Sequence, residues 1–232
     1  MYFYKHYSFD LWLTLIKSNP EFKKQRAVFF HKHLNAKKKT IEEVQQVIRQ
    51  VDVMCNFINE KTGRNIASDE MYLMVIHQLN NYEPTFSDLD MLWLQKEMEN
   101  LFLHFLPFVY SNETYSTLDH IKQHQESTIG ILSNTAFIEG KTLRKVLPEL
   151  KLAQYFDFQL YSDETGLSKP NKSFFELMIK TASAERAEKA IQLNEILHIG
   201  DNPIADIDGG ASVGINVFQI NSNSFTIKHI LN

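Results

Sequence analysis

The sequence predicts an α/β protein, a parallel sheet of βαβ units with an all-helical stretch inserted after its first strand. Three observations carry this. From residue 107 onward, short runs of branched and aromatic residues alternate with segments of helical period. Glycine concentrates in the same part: Gly63 comes first, and the other seven glycines lie at or after Gly130. Glycine permits the tight turns that join strands to helices, so its scarcity before Gly130 marks long helices.

Taken in order, Tyr7 to Ile16 reads as a strand buried on both faces, with Asp10 directly after Tyr7-Ser8-Phe9. From about Ser18 to Leu106 the period is helical, in about four helices. Pro20 to Leu34 is the first. Thr40-Ile41-Glu42-Glu43 is a capping box that opens the second, with Val44, Ile48, Val51, Cys55 and Ile58 on one face. Ser68 opens a third, Asn81 to Pro84 breaks it, and Ser87 is the expected cap of a fourth, very apolar helix. Beyond Pro107 the expected series is a helix over Thr114 to His124, a strand over Thr128 to Leu132 and a helix over Lys141 to Leu150. A strand over Phe156 to Tyr161, a helix over Ser173 to Ala182 and a strand over Glu195 to Ile199 follow. A helix over Ile204 to Val213 and a strand over Ile215 to Ile220 close it.

A chain of 232 residues, 44% hydrophobic, buries a sizeable core as one large domain or a main domain with an insertion. With 24 basic and 28 acidic residues it lacks the basic footprint of a nucleic-acid binder, and Lys37-Lys38-Lys39 reads as a solvated loop. The single cysteine, Cys55, sits on the apolar side of its helix and fits a reducing compartment. The N-terminus has no signal-peptide core, and no apolar run approaches the ~18 residues of a membrane span. A soluble, cytoplasmic monomer or homodimer without a membrane partner is the expectation.

Four segments place polar groups just past predicted strand ends, the edge where open parallel sheets bind ligands. They are Asp10, Ser133-Asn134, Lys169 and Asp201-Asn202 with Asp206. Any one of them also fits a helix cap. Together, Asp10-Leu11-Trp12-Leu13-Thr14-Leu15, Ile131-Leu132-Ser133-Asn134, Gly166-Leu167-Ser168-Lys169-Pro170 and Ile199-Gly200-Asp201-Asn202-Pro203-Ile204-Ala205-Asp206 resemble, in order, the four motifs of the haloacid dehalogenase-like (HAD) superfamily. The resemblance covers residues 6–16 and 114–220. It implies a Rossmann-like parallel sheet with helices on both faces, built from residues 1–17 and 107–232, and a helical cap domain over residues 18–106. It implies Mg²⁺ held by the Asp10 carboxylate, the Trp12 main-chain carbonyl and Asp201, with Asp206 in support. Asp10 would be the nucleophile toward a small phosphorylated metabolite. Lys169 would screen charge, Ser133 would hydrogen-bond a phosphoryl oxygen, and the amides of Asn134 and Thr135, at a helix start, would add donors.

Trp12 departs from the pattern. The family's phosphatases carry there an aspartate that protonates the leaving oxygen and then activates water, and an indole does neither. The alternatives are a catalytically weak or inactive binding or regulatory protein, or a phosphonatase- or dehalogenase-like hydrolase. The family's dehalogenases use no metal and lack the Gly200 to Asp206 pattern, and a phosphonatase wants a cap lysine such as Lys37, Lys38, Lys39 or Lys61. Arg26, Arg49 and Arg64 are candidate anion contacts, with solvated helix-surface charges the simpler reading. His77, His104, His120 and His124 show no metal-ligand spacing.

Overall fold

The computed structural model describes residues 3–123, 127–186 and 191–231. Strand β1 (His6–Phe9) is central in a five-stranded sheet, with β4 (Thr128–Ser133) and β5 (Phe158–Tyr161) on one side and β6 (Ile196–Gly200) and β7 (Asn216–Gln219) on the other. Every pairing is parallel, so the carboxyl ends line one edge. Strand alternation sorts the side chains by face. Tyr7, Phe9, Ile129, Ile131, Leu197 and Ile199 pack with α5 (Glu113–Gln123) and α6 (Gly140–Glu149). Leu132 and Ile196 face the other way, onto Phe174, Phe175 and Met178 of α7 (Lys172–Glu185). The second face also takes buried polar groups: Ser8 Oγ meets His198 Nδ1 at 2.8 Å, and His6 Nδ1 meets Thr128 Oγ1 at 2.9 Å. The α/β parallel core expected from the sequence is present.

The strand expected over Tyr7 to Ile16 is cut in two. The Leu15 and Ile16 N–H groups both turn back to the Leu11 carbonyl (2.9 and 3.0 Å), and Leu13 takes a left-handed φ of 58°. Leu11 and Leu15 are buried in this turn, which is why the apolar run looked like continuous strand. The chain leaves it through β2 (Ile16–Lys17), which pairs antiparallel with β3 (Phe108–Val109). This small ribbon, silent in the sequence because of its length, brackets the helical stretch at both ends.

Within that stretch stand α1 (Pro20–His33), α2 (Ile41–Thr62), α3 (Ser68–Leu79) and α4 (Met91–His104). The capping box forms as expected: Glu43 N–H donates to Thr40 Oγ1, Thr40 N–H donates to Glu43 Oε2, and Gly63 at φ 66° ends α2. Ser87 is not the cap of α4. Asp90 Oδ1 accepts from the Leu92 and Trp93 amides at 2.9 and 3.2 Å, and the helix starts three residues later than expected. The four helices share an apolar cluster of their own, including Phe30, Val51, Cys55, Val75 and Met98, with Phe137 reaching in from the loop after β4. Removing a buried aromatic such as Phe30 would cost about 3–5 kcal/mol. The helix over Thr114 to His124 is α5; His124 lies outside the described residues. No helix among the described residues is long and apolar enough to cross a membrane.

Candidate active site

The expected residues meet at the carboxyl edge because each follows a parallel strand. Asp10 is fixed at the end of β1 by its N–H donating to the Ile199 carbonyl (2.8 Å). Lys169 is 1% exposed, and its Nζ donates to Asp10 Oδ1 (2.7 Å) and Asp206 Oδ1 (2.5 Å). Asp206 approaches because residue 200 is glycine; a Cβ there would overlap its carboxylate. A carboxylate oxygen from each of Asp10, Asp201 and Asp206 lies within 4.8 Å of the others. An all-oxygen, carboxylate-rich donor set of this kind fits a hard divalent cation such as Mg²⁺.

Burial raises the Asp10 carboxyl, with Lys169 opposing and Asp206 adding to the rise. Asp201 is pushed up to about 7 by burial and by the charges of Asp10 and Asp206. Asp206 goes down: burial acts against its charge, but Lys169 and His198 outweigh it. Burial likewise opposes the Lys169 charge, and the two carboxylates win, raising it. Carboxylates held this close oppose one another's ionisation, and a bound cation removes the conflict.

Asp10, Trp12, Asn134, Lys169, Asp201 and Asp206 line one cavity of about 360 Å³ together with Phe22, Arg26, Arg49, Asp52 and Phe102 of the inserted helices. The Trp12 ring lies 6.1 Å from that of Phe102. Ser133 is fully buried, donates to Asp10 Oδ1 at 3.3 Å, and does not line the cavity. The helix after this loop starts only at Gly140, so Asn134 and Thr135 are not at a helix start. The Thr135 N–H donates to Ser162 Oγ (2.8 Å), which leaves it engaged rather than open to a ligand. Arg49 and Arg64 are exposed as the simpler reading had it, but Arg26 is a buried cavity residue. Lys37, Lys38, Lys39 and Lys61 are not among the lining residues; Lys23 and Lys169 are.

Two contributors escaped the sequence reading. His198 joins the cluster from within β6, its Nε2 at 3.2 Å from Asp206 Oδ1. Its signal was a polar residue in register with Ser8 on an otherwise apolar strand face. Glu60, near the end of α2, accepts a hydrogen bond from Asn202 Nδ2 (2.6 Å) and ties the helices to the loop that carries Asp201. No local pattern announces that pair.

Fold and site together are those of a hydrolase with a parallel α/β core. A family model of the haloacid dehalogenase-like hydrolases matches residues 4–214, and the chain belongs to that family. Among characterised relatives, pyrimidine 5'-nucleotidase YjjG of Escherichia coli (strain K12) is 30% identical over 95 residues, 41% of this chain and 38% of that protein. Haloacid dehalogenase-like hydrolase domain-containing protein 3 of Mus musculus is 31% identical over 80 residues, 34% of this chain and 29% of that protein. The matched stretch thus spans well under half the length of either relative. The HAD-hydrolase YfnB of Bacillus subtilis, solved bound to magnesium, superimposes with a TM-score of 0.68 at 17% identity, covering 97% of this chain and 92% of that one. The 2-haloacid dehalogenase of Pseudomonas syringae pv. tomato DC3000 gives 0.59 at 20% identity, covering 94% and 86%. At such identities the likeness speaks for the fold alone.

Proposed function

We propose that the protein is a Mg²⁺-dependent phosphatase for a small phosphorylated metabolite, working through an aspartyl-phosphate on Asp10. Residues 1–17 and 107–232 form its core domain, and residues 18–106 are a cap over the site. The observation that supports this most is the meeting of Asp10, Asp201 and Asp206 around Lys169 on a cavity that the inserted helices help to line. Mg²⁺ held by Asp10, Asp201 and the Trp12 carbonyl, with Asp206 in support, would offset the repulsion between carboxylate and phosphoryl oxygens.

Lys169 holds Asp10 Oδ1, leaving Oδ2 as the attacking atom. A new Oδ2–P bond forms as the bond from phosphorus to the leaving oxygen breaks, and water then displaces phosphate from Asp10. Ser133 steadies Asp10 through its hydroxyl. Trp12 cannot protonate the leaving oxygen, so the reaction favours leaving groups that depart as anions, acyl and aryl oxygens ahead of alkyl. YjjG, named for a pyrimidine nucleotide, makes a nucleoside 5'-monophosphate a worthwhile alkyl ester to include.

A catalytically weak binding protein is the second reading, and Trp12 is the observation that favours it. Assaying wild type and Asp10→Asn with Mg²⁺ against acyl, aryl and alkyl phosphates separates the two. The phosphatase reading expects wild-type turnover that the variant loses; equal inactivity across the panel would end it. None of Lys37, Lys38, Lys39 and Lys61 lines the cavity, so carbon–phosphorus cleavage through a cap lysine would have to use Lys23, which does.

A further inference from the structure

Most charges around the cavity have partners. Lys169 is shared by Asp10 and Asp206, Arg49 donates to Asp52 (2.9 Å), Glu60 accepts from Asn202, and Asp201 belongs to the acidic cluster. Lys23 and Arg26, which reach the cavity from α1, pair with no carboxylate among the described residues. Lys23 is exposed to solvent, which satisfies an ammonium group. Arg26 is 8% exposed, and its Nε is buried without a hydrogen-bond partner. The guanidinium lies over the Phe137 ring at 4.6 Å and beside the Phe22 ring at 5.2 Å, which holds it in place. Burial works against its charge; the Tyr72 hydroxyl and the more distant Asp52 carboxylate work for it.

A guanidinium is charged at any physiological pH, and burying it without an anion is costly. Fixed by two rings on a cavity wall with a donor unmet, it is organised to receive an oxyanion in directed hydrogen bonds. Building on the phosphatase reading, we propose that the substrate carries a second oxyanion besides its scissile phosphoryl group, and that Arg26 binds it while Trp12 and Phe102 pack against the substrate's apolar body. The second group is a carboxylate or a further phosphate. In either case Arg26 sets specificity and takes no part in breaking bonds.

The test compares phenyl phosphate, para-carboxyphenyl phosphate and para-phenylene bisphosphate, with Mg²⁺, in wild type, Arg26→Lys and Arg26→Gln. Wild type should favour at least one doubly anionic ester about 10- to 100-fold in kcat/KM, mainly through KM, the range of a charge-assisted hydrogen bond. Whichever ester gains more names the second group. Arg26→Gln should collapse the preference, and Arg26→Lys should keep part of it. Equal kcat/KM for the three esters in wild type would overturn the proposal without any variant, and so would a preference that survives in folded Arg26→Gln. If none of the three esters turns over, the acyl, aryl and alkyl panel decides the phosphatase reading separately, and calorimetric titration of wild type with phenylphosphonate and para-carboxyphenylphosphonate decides the oxyanion site. Tighter binding of the carboxylated ligand upholds it; equal binding overturns it.

Discussion

Asn134 holds Lys169 by both sides of its backbone. Its Oδ1 accepts the Lys169 N–H at 2.7 Å, and its Nδ2 donates to the Lys169 carbonyl at 3.0 Å. An amide offers an acceptor and a donor a fixed distance apart, so one side chain at the end of β4 sets where the lysine leaves the chain. Beside the donor role expected of its backbone, the Asn134 side chain positions the ammonium that holds Asp10.

Asn134→Ala should therefore lower kcat by about 10- to 100-fold and stability by about 2 kcal/mol, the worth of two partly buried hydrogen bonds. Steady-state kinetics and a denaturant titration read the two effects. A variant with unchanged kcat would detach Lys169 placement from this clamp.

Trp12→Asp should restore the missing proton donor. Hydrolysis of alkyl phosphates is expected to rise by about 10²-fold or more, while acyl phosphates change little because their leaving group needs no proton. A uniform change across leaving groups, read from kcat/KM against leaving-group pKa, would contradict that role.

Asp201 sets a pH window for metal binding. Its folded carboxyl titrates near 7 against 3.8 when unperturbed. A raised acid stabilises the fold below its unfolded value and loses that contribution as pH rises through the folded one. The metal-free protein should lose this contribution between about pH 4 and 7. Mg²⁺ must displace the proton, so the gain in Tm on adding Mg²⁺ should widen over the same range. A gain independent of pH there would argue against Asp201 as a ligand.

His6 acts with the opposite sign. It is fully buried, stacked on Phe158 at 5.2 Å, and its pKa falls to about 3, through burial first and then the charges of His198 and Arg186. A depressed base leaves the unfolded chain binding more protons below 6.5, so stability drains as pH falls from 6.5 toward 3, by a few kcal/mol in order of magnitude. His6→Gln should flatten that acid limb in Tm measurements, whatever its stability at neutral pH. An unaltered slope would place the acid sensitivity elsewhere.

The parallel core was legible because its signals are local. Strand runs, glycine turns and the Thr40 capping box act within a few residues, and β4 to β7 formed close to their expected bounds. The errors share a cause. The run from Tyr7 to Ile16 was apolar for two reasons, a strand up to Phe9 and a buried turn beyond it, and composition does not separate them. Ser87 and Asp90 are both cap residues, and only the packing of α4 chooses between them. At the site, carboxylates past strand ends were readable, since topology alone gathers them. The burial of Arg26 between two rings, the roles of His198 and Glu60, and the Asn134 clamp were not, because they depend on how separate segments meet in space.

In the proposed reaction Asp10 carries the phosphoryl group. Rapid quenching during turnover of acetyl phosphate with Mg²⁺, borohydride reduction and peptide mass spectrometry test it most directly. Homoserine is expected at position 10, dependent on substrate and Mg²⁺ and lost on adding EDTA. Steady hydrolysis with Asp10 recovered unmodified, or with the label on another residue, would contradict it.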